Sequence, residues 1–314
     1  MSQPAFDEAF PSKGQAGADP KSIPLEKIDV TDGELWVTDT HWGYFERLRN
    51  EAPVHYCADS LFGPYWSVTK FDDIVEVEKD PETYSSEPTI TVGDIPEDSV
   101  TQNAGFITMD GPRHTAHRKV AQPVASPRNL KALEPIGRER SIAILDSLPI
   151  GETFDWVDKV SIELTTAMLA TMFDFDWETR RKLTYWSDLS IGSPETTGMD
   201  QGPDVEAVQA GLTDMANTFM GLWQERASSD PGDRNDLITM LAHGESTKDM
   251  ISRPLEFLGN IMLLIVGGND TTRNSISGGV LALNQFPDEY AKLRADHSLI
   301  PNMVSEIVRW QTPV

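Results

Sequence analysis

Asp270 and Thr271 put a carboxyl group beside a hydroxyl in the middle of the most apolar helical stretch of the chain, Phe257 to Leu283. They follow directly on Gly267, Gly268 and Asn269. An acid next to an alcohol can hand on protons, and two glycines leave bare backbone against which a flat group could lie. The six residues from Gly267 to Thr272 sum to about 4 kcal/mol below alanine in helix propensity. Something beyond the helix's own hydrogen bonds must offset that. Two offsets suit: a ligand seated in the gap, or a kinked core helix whose polar residues satisfy one another.

A second group of residues runs Asp110-Gly111-Pro112-Arg113-His114-Thr115-Ala116-His117-Arg118-Lys119 and reads as a helix start with Pro112 in its first turn. His114 and Arg118 are four apart and share a face. Cations are unfavourable near the positive end of a helix dipole, so their clustering there suits a bound anion. Arg118 can grip a carboxylate with two parallel hydrogen bonds, and His114 can add a third. A solvated basic face is the plainer alternative. Zinc held by His114 and His117 lacks a third ligand at a fitting spacing. Glu306 and Arg309, one turn apart, form the third group. An exposed pair of this kind contributes only about 0.2–0.5 kcal/mol, but Val304, Ile307, Val308 and Trp310 surround it with apolar surface. That setting predicts a buried pair bonded to a further partner.

The elements that must position these residues are mostly helices. Helical periodicity or helix signals mark Phe71 to Lys79, Pro112 to Gln122, Pro127 to Leu148, Lys159 to Phe173, Trp177 to Ser190, Val205 to Ala227, Asp236 to His243, Arg253 to Leu283, Pro287 to Asp296 and Ile300 to Trp310. Asp236 is placed to cap one helix, and Pro287 and Pro301 sit in the first turns of two others. Pro53 to Cys57 and Tyr65 to Thr69 read as strands flanking a Gly63-Pro64 turn. Glu87 to Phe106, Ile191 to Pro203 and Ala227 to Arg234 read as loops.

With 314 residues and 39% apolar composition the chain can bury a substantial core. It carries 26 basic against 50 acidic residues, a net charge of −24, which argues against nucleic acid or an anionic membrane surface as partner. A single cysteine, Cys57, excludes an internal disulfide or a multi-cysteine metal site within these residues. No signal peptide pattern opens the chain, and residues 1–20 read as a flexible lead-in to one domain over 21–314. The uncharged runs around Asp270 are too short for a membrane span. The composition predicts a cytoplasmic protein.

Taken in order, Asp110-Gly111-Pro112-Arg113-His114 with Arg118, then Gly267-Gly268-Asn269-Asp270-Thr271-Thr272, then Glu306-Ile307-Val308-Arg309, resemble the cytochrome P-450 haem-thiolate monooxygenases. The runs Leu264 to Ser275 and Ile300 to Pro313 resemble in particular the bacterial soluble alkane and fatty-acid terminal hydroxylases of that family. The resemblance implies a mainly α fold with a small N-terminal β-sheet and a haem b under the interrupted helix. Asp270 and Thr271 would deliver protons to dioxygen, His114 and Arg118 would hold the haem propionates, and Gly267 and Gly268 would lie against the ring. Glu306 and Arg309 would brace the thiolate side. Ile107, Leu263 and Val266 would line a pocket for an apolar alkyl chain.

The resemblance also implies dioxygen and electrons from NAD(P)H, relayed by a ferredoxin and ferredoxin reductase, and hydroxylation of a medium-chain alkane or fatty acid at its terminal carbon. The family's Phe-x-x-Gly-x-x-x-Cys-x-Gly loop does not occur in the sequence, and Cys57 lies in a strand ahead of the helical body. The expectation is therefore a chain that lacks the C-terminal haem-ligand portion, with its axial cysteine beyond Val314, and that is inactive on its own. The competing reading is a non-enzymatic α-helical protein that binds apolar ligands in the same cleft, or an inactive fragment without haem ligation.

Overall fold

Aromatic and β-branched residues on either side of Gly63-Pro64 form the expected hairpin. Strand β1, Val54–Cys57, pairs antiparallel with β2, Tyr65–Val68, and Val54 stands opposite Val68. Gly63 takes the left-handed conformation the turn needs, with φ of 81°. Alternation turns His55, Cys57 and Ser67 inward, while Tyr56 and Trp66 meet across the outer face with ring centroids 4.9 Å apart. The Cys57 thiol donates to the Asp59 carbonyl at 3.6 Å.

The computed structural model describes residues 13–90, 92, 105–191 and 205–313. The chain divides into two compact units, Met1–Thr115 with Gly192–Val205 and Ala116–Ile191 with Glu206–Val314. The first unit holds the hairpin and three helices, α1 at Gly33–Val37, α2 at His41–Glu51 and α3 at Phe71–Lys79. Ile28, Val30, Leu35, Tyr44 and Leu48 form its core. Of the segment expected to be flexible over 1–20, the described residues 13–20 are tied to the rest of the unit. Gln15 is buried, exchanges hydrogen bonds with the Asp29 backbone at 3.0 and 3.1 Å, and accepts the Tyr44 hydroxyl on its carbonyl at 2.7 Å. Residues 1–12 and most of the loops expected at 87–106 and 191–203 lie outside the described residues.

Helix α4, Arg113–Ala121, runs across the division between the units. In the second unit follow α5, Pro127–Asp146; a π-helical segment, Val157–Ile162, that opens α6, Glu163–Phe173; α7, Lys182–Ile191; and α8, Val205–Ser228. Then come α9, Leu237–His243; α10, Pro254–Gln285; α11, Pro287–Ala295; and α12, Ile300–Gln311. The helix expected from Trp177 begins only at Lys182. Asp176 draws the backbone N–H and hydroxyl of Thr179 into a local turn, at 3.1 and 2.7 Å, and the Arg180 guanidinium folds back over the Trp177 ring.

The core of this unit gathers Leu169, Phe173, Trp186, Phe219, Trp223, Phe257, Ile261 and Ile265. Each such side chain contributes roughly 1.5–3 kcal/mol by leaving water. Helix α10 runs through the middle of this packing, against α6, α7, α12 and the π-helical segment. It runs unbroken from Pro254 to Gln285, as expected over Arg253 to Leu283, and the polar run Gly267–Thr272 stays helical within it. Among the described residues no helix is long and apolar enough to cross a membrane.

Candidate active site

The polar residues of α10 keep their helical conformation because neighbouring helices satisfy them. Asn269 and Asp270 are both buried. The Thr165 hydroxyl of α6 donates to Asn269 Oδ1 at 3.2 Å, and the Ser187 hydroxyl of α7 donates to Asp270 Oδ2 at 3.1 Å. Arg273, one turn on, reaches Asp270 Oδ1 at 2.5 Å and Asp188 at 2.9 Å. Hydrogen bonds to a charged group contribute about 1.5–3 kcal/mol each. Two on Asp270 are therefore of the size of the propensity deficit, which needs no ligand to explain it. Burial raises the Asp270 carboxyl above the ordinary aspartate range, and nearby Asp188 adds to this; the Arg273 charge and the Ser187 bond only partly oppose it.

Thr271 faces elsewhere. Its hydroxyl donates to the Gly267 carbonyl at 2.7 Å, and its side chain lines an apolar groove of about 540 Å³ between α10 and α12, together with Ser275, Gly279, Met303, Ile307 and Val308. The two expected ring-facing glycines separate. A Cβ on Gly267 would meet no atom within 4 Å, so bare backbone does lie open there. A Cβ on Gly268 would come within 2.6 Å of Leu169 Cδ2. Gly268 is therefore a packing glycine against α6, which corrects its expected place beside a ligand.

Leu263 and Val266 are half-buried on α10 and do not line that groove. Ile107 lies in the other unit, in a short 3₁₀ turn at Phe106–Thr108, and is 41% exposed. On α4, His114 is half-buried near the Phe106 ring, and Arg118 is exposed. Among the described residues Arg118 makes no side-chain hydrogen bond or ion pair, in a chain with 50 acidic residues to choose from. His117 points the other way: it is buried, with Nε2 3.5 Å from Glu256 Oε1 at the start of α10. That contact, and the Arg253 and Asp249 groups behind it, left no mark in the sequence beyond the Arg253 and Glu256 spacing.

Glu306 and Arg309 pair at 2.5 and 2.7 Å, but their side chains are 60% and 69% exposed, which corrects the expected burial. Helix α12 turns Met303 and Ile307 toward α10, with Ile307 against Gly279, and so points the charged pair away. The Arg309 charge holds the Glu306 carboxyl below its usual range.

These residues fit a haem. A guanidinium with no carboxylate of its own suits a propionate, open backbone at Gly267 admits a flat ring, and a hydroxyl at Thr271 faces an apolar space.

Comparison with known proteins follows the same line. No family model matches the chain. Linalool 8-monooxygenase of Pseudomonas putida is 31% identical over 304 residues, covering 92% of this chain and 72% of that protein. A methyl-branched lipid omega-hydroxylase of Mycobacterium tuberculosis is 28% identical over 313 residues, covering 95% and 71%. The solved structure of cytochrome P450-153 from Novosphingobium aromaticivorans is 42% identical and superposes with a TM-score of 0.78 over 90% of this chain and 69% of that one. Sequence motifs, helical architecture and relatives agree, and the chain belongs to the cytochrome P450 family of haem-thiolate monooxygenases.

Proposed function

We propose that the protein hydroxylates the end of an apolar alkyl chain, a medium-chain alkane or fatty acid, with dioxygen and electrons passed from NAD(P)H through a ferredoxin reductase and a ferredoxin. The observation that carries the reading is a buried, raised Asp270 carboxyl next in sequence to a Thr271 hydroxyl that faces the groove beside α10. A general acid works best when its pKa approaches the working pH. Burial moves Asp270 in that direction.

When bound, the haem supplies the activation of dioxygen. The chain's own residues do the rest. Arg118 and His114 would hold the propionates, Gly267 would let the ring approach, and the Thr271 hydroxyl would hand on protons drawn from Asp270 through a bridging water or a rotation of that carboxyl. Leu263, Val266 and Ile107 offer apolar surface without a cation, which suits an alkyl chain better than a charged head group. The relatives lend support, since two of them are a linalool 8-monooxygenase and a methyl-branched lipid omega-hydroxylase. Turnover of octane and of dodecanoic acid by the reconstituted holoprotein, with products read by gas chromatography and mass spectrometry, tests this. Oxygen at the terminal carbon is expected; oxidation only at internal carbons, or of neither substrate, overturns it.

A further inference from the structure

Arg118 sits on a short helix of nine residues, α4, and among the described residues its guanidinium has no hydrogen-bond or ion-pair partner. The residues beside it are held firmly. The Ser246 hydroxyl donates to the Ala116 carbonyl at 3.0 Å, and Val120 occupies the space that Gly244 leaves, where a Cβ would lie 2.5 Å from Val120 Cγ1. Between these two attachments His117 reaches Glu256. Glu256 is already gripped through both oxygens by Arg253, at 2.8 and 3.0 Å, and Arg253 donates in turn to Asp249 at 2.7 Å.

Hydrogen bonding does not call for His117: Arg253, which Glu256 shares with Asp249, already bonds both Glu256 oxygens, and what the contact from α4 adds is direction. Burying such groups is costly, and an apolar pair of similar volume would stabilise the packing as well or better. What an apolar pair cannot supply is a fixed rotational setting. Successive residues of a helix lie about 100° apart, so a His117 pinned inward fixes the direction in which Arg118 leaves the helix.

We infer that Glu256 and His117 are positioning residues for the haem: their contact sets the rotation of α4 and thereby aims the Arg118 guanidinium at a propionate. The inference rests on the reading of Arg118 given above. It adds two residues, and the Arg253 and Asp249 groups behind them, to the machinery that retains the cofactor.

The test is a double-mutant cycle on the rate of haem transfer from the holoprotein to excess apomyoglobin, measured well below the unfolding temperature, with thermal midpoints recorded alongside. Arg118→Ala is expected to speed release about tenfold, as loss of a bidentate charge-assisted bond should. His117→Ala and Glu256→Gln should each speed it severalfold, and His117→Gln, which can still donate to Glu256, should restore most of the wild-type rate. The double variant His117→Ala with Arg118→Ala should release haem no faster than Arg118→Ala alone, because His117 acts only through Arg118. A multiplied effect in the double variant, or changed thermal midpoints with unchanged haem release, overturns the inference. Unchanged release in Arg118→Ala itself overturns the reading of Arg118 and the inference with it.

Discussion

Asp270 and Thr271 are neighbours in sequence that turn to different faces of α10. The Asp270 carboxylate accepts from Ser187 on α7 at 3.1 Å, whereas the Thr271 hydroxyl donates to Gly267 within its own helix at 2.7 Å and faces the groove toward α12. No hydrogen bond joins the two side chains. A proton passing between them therefore needs a rotation of Asp270 away from Ser187 and Arg273, or a bridging water. The Arg273 pair holds the acid in reserve, and Asp188 competes for that same arginine at 2.9 Å.

Replacing Asp270 by Asn should reveal its raised pKa as a pH-dependent stability difference. The folded state binds the Asp270 proton more tightly than the unfolded state, so ionisation weakens the fold. That penalty is absent below the unfolded value of about 3.9 and complete once pH exceeds the raised folded value. Asp270→Asn does not titrate. Its stability relative to wild type should therefore rise as pH increases from about 4 and then level off. Urea midpoints across this range give the answer, and a gap that stays flat or shrinks with rising pH contradicts the assignment.

The two glycines should respond in opposite ways. Gly268→Ala must push Leu169 aside and should cost about 1–3 kcal/mol, as overpacking does. Gly267→Ala meets open space and should stabilise the helix by about 0.5–1 kcal/mol, while lowering the haem content of purified protein. Urea denaturation and the Soret absorbance per protein measure the two effects. If both substitutions destabilise alike, the separation of roles between these glycines is wrong.

What the sequence made legible follows from what periodicity can carry. Asp236 caps α9 as read, with its carboxylate accepting from Thr239 N–H at 2.8 Å, because a cap is a local interaction. The hairpin was readable for the same reason. Helix α2 was not, since only Tyr44 and Leu48 mark its inner face among polar and bulky neighbours. Periodicity also says which residues share a face but not what covers that face. Glu306 and Arg309 look buried among Val304, Ile307 and Val308 only if something packs over α12, and Val304 and Val308 themselves are 52% and 49% exposed. The difference between Gly267 and Gly268 depends on Leu169 of α6, and the His117 contact depends on Glu256 of α10. Neither partner can be named without tertiary structure.

On the proposed reading, removing the Thr271 hydroxyl takes away a proton-transfer group while leaving the apolar surface of the groove in place. Thr271→Ala in the holoprotein should therefore divert electrons to hydrogen peroxide while substrate affinity stays within about twofold, since no buried hydrogen bond to substrate is lost. Peroxide formed per NAD(P)H consumed is the measurement. Coupling equal to wild type would remove Thr271 from the proton path.

Docking of an acidic ferredoxin needs a local excess of positive charge on a chain whose net charge is −24. Lys119, Arg128 and Lys131 are exposed in the second unit and are the cations such a dock would use. Reversing Arg128 and Lys131 to Glu should slow reduction by ferredoxin, and the deficit should fade as salt rises. Stopped-flow reduction at low and high ionic strength decides it. Equal rates at low salt would place the dock elsewhere.

Substrate preference supplies the last expectation. On the proposed reading an apolar pocket brings no charge to the substrate, so binding should gain about 0.8 kcal/mol per methylene buried. That increment corresponds to roughly a fourfold gain in affinity per carbon. Affinity for linear alkanes should climb with length until the pocket is full and then flatten. Uncharged alkanes and fatty acids of equal length should bind alike, because none of the positions proposed for the pocket is a cation. Titration of the holoprotein with both series, followed by the shift of its Soret band, measures the slope and the plateau. A fatty acid that binds far more tightly than the alkane of equal length would reveal a head-group site elsewhere. Tight binding of a compact polycyclic compound, with no response to linear chains, would overturn the alkyl assignment altogether.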